Sequence, residues 1–227
     1  MMNKNGKPET GSRLSATQRL MVRGAAVLGG VAAISMTIGG TSPVTAGSGG
    51  TSPYTGTAVT SELQYLRQSL DAAQGDLELV RLERDRANAI LDHSARYGVA
   101  ADLASLIYDV ALSEGVDPEL AFRLVKLESG FKVRAVGKTG DIGLAQVRLP
   151  TARLFQPGIT VEQLFEPERN LRIGLRYWRD MMRKYDDTEL ALLAYNRGPA
   201  RVESLIQDGR DPQNGYASTI MKGYLRR

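Results

Sequence analysis

Cysteine is missing from all 227 positions. That single absence excludes disulfides, thiolate metal ligands, a cysteine nucleophile and a lipid-modified N-terminal cysteine. Histidine occurs once, as His93, so a multi-histidine metal site is excluded as well; His93 reads as a helix-surface residue. No long stretch alternates apolar and polar residues, which argues against a major sheet. An excess of one charge is lacking too, once the N-terminus is set aside. The chain holds 29 Lys and Arg against 25 Asp and Glu, but five of the basic residues and one acid fall in the first 46 positions, leaving 24 of each sign. The high isoelectric point therefore belongs to the leader, and the remainder offers no charge-based case for binding nucleic acid. What is left has room for one ordinary domain with appendages.

The appendages come first. Lys4, Lys7, Arg13, Arg19 and Arg23 precede an apolar stretch from Gly24 to Ile38, and Val44-Thr45-Ala46 follows. Basic residues, an apolar run and small residues before a cut are the parts of an export signal, so residues 1–46 are expected to be removed after Ala46. The run is shorter than the ~20 apolar residues that span a bilayer; the alternative is an uncleaved membrane anchor. Either way the remainder is expected outside the cytoplasm, in the periplasm or cell envelope. Residues 47–60 are rich in Gly, Ser and Thr and read as a flexible linker. Over residues 61–94 a long helix is expected, because Leu63, Leu66, Leu70, Ala73, Leu77, Val80, Arg84, Ala87 and Leu91 are spaced alternately by three and four, the heptad seam of a coiled coil. Arg84 breaks the seam and Gly75 weakens the helix. The segment is either a stalk that self-associates or binds a partner helix, or a helix packed along the next domain.

Residues 95–227 read as a compact, mainly α domain. Val99 to Ala111 mark one helix, ending at Gly115. In the next, Asp117 is placed to cap, Pro118 to start and Gly130 to stop. Leu120, Ala121, Leu124, Val125 and Leu127 form its apolar stripe, and Glu128 falls inside that stripe. A carboxylate there faces the core or a cleft, and desolvation would raise its pKa toward that of a general acid. The alternative is a polar residue in a fraying last turn. A loop with Gly137, Gly140 and Gly143 follows, then helices over 160–165, 168–184, 188–195, 200–207 and 215–225.

Four fragments occur in order within this domain: Glu128-Ser129-Gly130-Phe131, Gly143-Leu144-Ala145-Gln146, Ala194-Tyr195-Asn196-Arg197-Gly198-Pro199, and Tyr216. With them the chain resembles the lysozyme-like lytic transglycosylases of the soluble-lytic-transglycosylase type, over roughly residues 98–225. Asn170 to Tyr177 is similar to that family's asparagine-glycine-aromatic helix. The resemblance implies a lysozyme-like helical domain acting on peptidoglycan glycan strands, at the β-1,4 bond between N-acetylmuramic acid and N-acetylglucosamine. It implies that Glu128 alone serves as acid and then base, giving a 1,6-anhydromuramoyl product, with no metal or organic cofactor. It implies substrate-binding roles for Ser129, Gln146, Tyr195, Asn196 and Tyr216, with Tyr195 also hydrogen-bonded to Glu128. Plainer roles are open for four of them: Ser129 as a helix-end cap, Gln146 as a loop brace, Tyr195 as core, Asn196 as a helix-ending residue; Tyr216 would close the cleft or bind sugar.

The chain departs from the family pattern at three places. Ala145 stands where family members commonly carry a cleft-lining Met, and the smaller side chain would widen a subsite or weaken sugar packing. Gly137-Lys138 replaces the usual Ser-Pro. Asp141 occupies a position usually filled by a small residue, and is expected to be a solvated loop carboxylate; if it faces the cleft it would activate water, and the enzyme would be a muramidase-type hydrolase using Glu128 and Asp141. A glycan-binding or assembly module without turnover is the alternative from another class.

Overall fold

The computed structural model of the chain describes residues 56–224. The expected export segment, 1–46, and residues 47–55 of the expected linker lie outside them. The chain divides between Glu62 and Leu63, and of the first unit only the helical residues 56–62 are described. Nine helices and one two-stranded sheet are present among the described residues. None of these helices is long and apolar enough to cross a membrane.

Helix α1, Gly56–Tyr97, begins inside the stretch whose composition reads as linker. From Leu63 to Asn88 every residue is exposed. Its last turns pack on the domain: Ile90 is buried, and Arg86 Nε donates to Asp109 Oδ1 at 2.8 Å. His93 is not a surface residue. Its ring stacks on Phe122 at 4.4 Å, and Nδ1 lies 3.6 Å from Glu119 Oε2. Glu119, itself buried, also accepts from Arg96, Arg123 and Tyr97. Burial and this bond to a carboxylate push the Tyr97 hydroxyl up to about 12, so it stays a neutral donor.

Helix α2, Ala101–Ser113, and α3, Pro118–Ser129, pack on each other. The capping expected for α3 is present: Asp117 Oδ1 accepts from the Leu120 amide at 3.0 Å, Pro118 opens the helix, and Gly130 closes it in the left-handed conformation at φ 58°. Leu127 departs from the expected stripe and is 42% exposed, whereas Phe122 is fully buried. The buried face is therefore centred on Ala121, Leu124, Val125 and the side of Glu128.

Strand β1, Asp141–Ile142, pairs antiparallel with β2, Val147–Arg148, setting Asp141 opposite Arg148. Helix α4, Leu149–Phe155, follows at once; it carries Pro150 in its first turn and has no counterpart in the sequence expectations. Helix α5, Val161–Leu164, begins on a reciprocal cap between Thr160 and Gln163. Helix α6, Pro167–Tyr185, is the spine of the domain, packing against α2, α5 and α7, Thr188–Arg197. Helices α8, Pro199–Gln207, and α9, Tyr216–Met221, complete it by packing on α7, and α9 also touches α3. Leu144, Leu171, Leu175, Leu192 and Leu193 are fully buried between these helices, each contributing about 2 kcal/mol by removal of apolar surface from water.

One buried polar side chain fixes the glycine-rich loop to the spine. Asn170 on α6 is fully buried; its Oδ1 accepts from the Ala145 amide at 2.8 Å, and its Nδ2 donates to the carbonyls of Ile142 at 2.8 Å and Leu164 at 3.0 Å. Gly143 makes room for this amide: a Cβ there would lie 2.4 Å from Asn170 Nδ2, and its φ of 76° is in any case left-handed. Asn170→Ala is expected to strand these buried groups and cost about 3 kcal/mol in urea denaturation. A loss below about 1 kcal/mol would remove the amide from its structural role.

Candidate active site

Glu128 stands in the last turn of α3, half-buried, at the edge of a cavity of about 460 Å³. The cavity is lined also by Thr139, Asp141, Gln146, Val147, Arg148, Thr151, Tyr177, Tyr195, Asn196, Arg197 and Gly198. The loop before β1, the β2–α4 junction, α6 and the α7–α8 turn thus contribute in turn. Burial raises the Glu128 carboxyl to about 7; the hydroxyl of Tyr216, which donates to Oε1, pulls it down, and the charge of Asp141 pushes it up. Desolvation dominates, as it must for a carboxyl beside an apolar helix face. A group poised at this value is protonated part of the time near neutrality and can give or take a proton.

The two tyrosines do not divide their work as expected. Tyr195 hydrogen-bonds the carbonyl of Ala145 at 2.7 Å, not Glu128, and it is Tyr216, at the start of α9, that holds the carboxyl. The reason is reach across the fold. Tyr195 lies on the α7 face that meets the loop and α6, while α9 packs against α3 and carries its first side chain to the end of that helix. Burial drives both hydroxyls well above the usual tyrosine value, so both remain neutral donors.

Residues 105–215 match the family model described as the transglycosylase SLT domain. Over that stretch, just under half of its length, the chain is similar to a transglycosylase SLT domain. A protein named transglycosylase, from Enterobacteria phage PRD1, is 31% identical over 83 residues, covering 37% of this chain and 30% of that protein. Among solved structures, an inactive mutant of the lytic transglycosylase Slt from Pseudomonas aeruginosa is 24% identical, with a TM-score of 0.44 over 51% of this chain and 22% of its own. The 70-kDa soluble lytic transglycosylase in complex with bulgecin A is 23% identical, with a TM-score of 0.49 over 59% of this chain and 25% of its own. The chain therefore spans less than a third of the phage protein's length.

The other singled-out residues fall into two groups. Gln146 and Asn196 line the cavity. Gln146 also braces its own loop, its Nε2 donating to the Gly143 carbonyl at 2.9 Å, from a backbone held at φ 46°. Asn196 Oδ1 accepts from Asn214 at 2.9 Å. Ser129 and Tyr216 are not among the lining residues; Ser129 is buried and bonds the Val125 carbonyl at 3.1 Å, as a helix-end residue would. Ala145 is fully buried with its Cβ toward Gly174 of α6, where an added Cβ would sit 2.4 Å away. Its small size serves helix–loop packing and does not widen a subsite.

Asp141 corrects the expectation of a solvated loop carboxylate. It lines the cavity with Glu128, accepts a hydrogen bond from Thr139 and lies 4.0 Å from Arg148 Nε. The Gly137 departure explains how: a Cβ at 137 would lie 2.7 Å from Gln146 Oε1 and 2.9 Å from Asp141 Oδ2. The space a side chain at 137 would fill is taken by the carboxylate of 141. Thr139, Arg148, Thr151 and Tyr177 were missed as cleft residues. Tyr177 was within reach, since Asn170, Gly174 and Tyr177 recur at helical spacing along one face of α6. Among the described residues, no group of three or more His, Cys, Asp or Glu is placed to hold a metal ion.

Two outcomes are expected. Gly137→Ser destabilises by about 1–3 kcal/mol, and adding Asp141→Ala recovers about 1 kcal/mol as coupling in a double-mutant cycle; additive losses would dissociate the two positions. Glu128→Gln changes stability with pH. The carboxyl titrates near 7 folded against 4.5 unfolded, so the wild type loses stability as pH rises from 4.5 to 7 and loses no more above it. The Gln variant, compared by urea denaturation, should match the wild type at pH 4 and exceed it by roughly 2–3 kcal/mol at pH 8; a constant difference would rule out a raised carboxyl.

Proposed function

We propose that this protein is a peptidoglycan lytic transglycosylase, an exported lyase that cuts the β-1,4 bond between N-acetylmuramic acid and N-acetylglucosamine with Glu128 as its single acid and base. The observation that carries the proposal is a carboxyl raised to about 7 on the wall of an open cavity in a chain similar over residues 105–215 to an SLT domain. Tyr216 bonds one carboxyl oxygen and leaves the acidic proton to the other. That proton passes to the glycosidic oxygen as the bond to C1 of the muramoyl residue breaks. The carboxylate then takes the proton of the C6 hydroxyl while its oxygen closes on C1, giving a 1,6-anhydro ring, consuming no water and returning Glu128 to its starting state. Gln146 and Asn196 are assigned to sugar amides and hydroxyls from the cavity wall. Tyr195 acts on substrate through the Ala145 carbonyl and the shape of the loop, and Ser129 and Tyr216 through the position of Glu128. Export through residues 1–46 delivers the enzyme to the cell envelope, and residues 61–94 are assigned to association with a second copy or a partner helix.

A second reading has a specific observation behind it. Asp141 shares the cavity with Glu128, as the base of a muramidase-type hydrolase would.

Mass spectrometry of peptidoglycan digests separates the readings. Anhydro-muropeptides are expected, falling by about a thousandfold or more with Glu128→Gln, and kcat/KM should decline tenfold per pH unit above about 7 as the acid form is lost. Reducing ends carrying one added water, dependent on Asp141, would replace the lyase with the hydrolase; glycan binding without products would leave a module that does no chemistry.

A further inference from the structure

The apolar seam of α1 is exposed where the helix leaves the domain and stays exposed where it joins it. Leu63, Leu66, Leu70, Leu77, Val80 and Leu91 are 42–59% exposed. The domain is held by a different face. With Leu63, Leu70, Leu77, Arg84 and Leu91 at heptad position a, the packed residues Ile90 and Tyr97 fall at g, and Arg86 and His93 at c. The seam therefore runs four heptads without being used. A helix exposed on all sides over residues 63–88 gains nothing from tertiary packing, and isolated helices are marginal in water.

Charge selects the occupant. The g positions carry Glu62, Ser69, Asp76 and Glu83; the e positions carry Arg67, Gln74, Arg81 and Asn88. Every charge at these g positions is acidic and every charge at these e positions basic. In a parallel, in-register pair, g of one helix meets e of the partner's next heptad, so Glu62 meets Arg67 and Asp76 meets Arg81. In an antiparallel pair g meets g and e meets e, setting acid against acid and base against base. The chain is thus complementary to a parallel copy of itself. Arg84 at a favours two strands: its stem can lie along a two-stranded seam while the guanidinium, bonded to Asp85 at 3.0 Å, reaches water. Gly75 falls at f, farthest from the seam, where an added Cβ would meet nothing. The opposite face shows Tyr65, Leu79 and Leu82, also exposed, but Gln68, Gly75 and Arg86 interrupt it.

We propose that residues 63–91 of two copies form a parallel, in-register, two-stranded coiled coil that joins two SLT-like domains. This deepens the association reading above and rests on it, independently of the reaction. Because the chain has no cysteine, a single introduced thiol reports alone. In the full chain, Ala73→Cys and Ala87→Cys, both at d, are each expected to form an interchain disulfide on oxidation, while Leu82→Cys on the opposite face stays reduced. The unmodified protein should scatter light at twice the 24.7 kDa chain mass. Arg81→Glu should raise the dimer dissociation constant about tenfold, and adding Asp76→Lys should restore it. A protein that stays at 24.7 kDa, a disulfide at only one of the two d positions, or cross-linking through Leu82→Cys alone would each overturn the proposal. Glycan cleavage measured on the same samples keeps failure of the seam separate from failure of the reaction.

Discussion

The site depends on one buried amide. Asn170 gives both faces of its side chain to backbone, accepting from Ala145 and donating to Ile142 and Leu164. Without it, a glycine-rich loop with two-residue strands has little to fix its height over α6. With it, the loop can hold Gln146 at a positive φ and place Asp141 on the cavity wall. Gly143 and Gly174 answer the same demand from either side, since each keeps clear the space that a neighbour's side chain occupies. These positions act as a unit, and the loop is held by close packing rather than by a stiff sequence.

Electrostatic control of Glu128 is shared among three causes with different origins. Desolvation comes from the apolar face of α3, the opposing hydrogen bond from α9, and the added repulsion from the loop carboxylate. Burial drives the rise, and Tyr216 both limits it and fixes which oxygen is engaged. The buried charges elsewhere follow another logic: Glu114 is held below the usual carboxylate range, because bonds from Arg176 and Arg172 outweigh the cost of its burial. Glu114 and Glu119, which tie helices together, are thus paired with arginine, whereas Glu128 at the cleft is held by a tyrosine hydroxyl.

Local chemistry was legible where it acts over a few residues. Asp117, Pro118 and Gly130 bound α3 as read, and Glu128 lies on the buried side because its spacing from Ala121, Leu124 and Val125 allows no other face. Features decided by tertiary approach were not legible. Tyr195 and Tyr216 are equally good partners for a carboxyl on paper, and only the packing of α9 on α3 assigns the bond. His93 looks like a surface residue until Phe122 is brought beneath it. Asp141 reads as solvated because loops usually are, and the vacancy at Gly137 that admits it is visible only in space. Helix α4 has no counterpart in the sequence reading, although its proline occupies the first turn, where proline is tolerated.

The bond between Glu128 and Tyr216 spans 88 positions of the chain. Glu128 is therefore made 88 positions before the tyrosine that holds it. A growing chain holds its glutamate without the group that orients it until residue 216 has been added and α9 has docked. Assembly of so distant a contact is also among the slower events of folding. The topology by itself thus delays completion of the cleft until α9 has docked on α3.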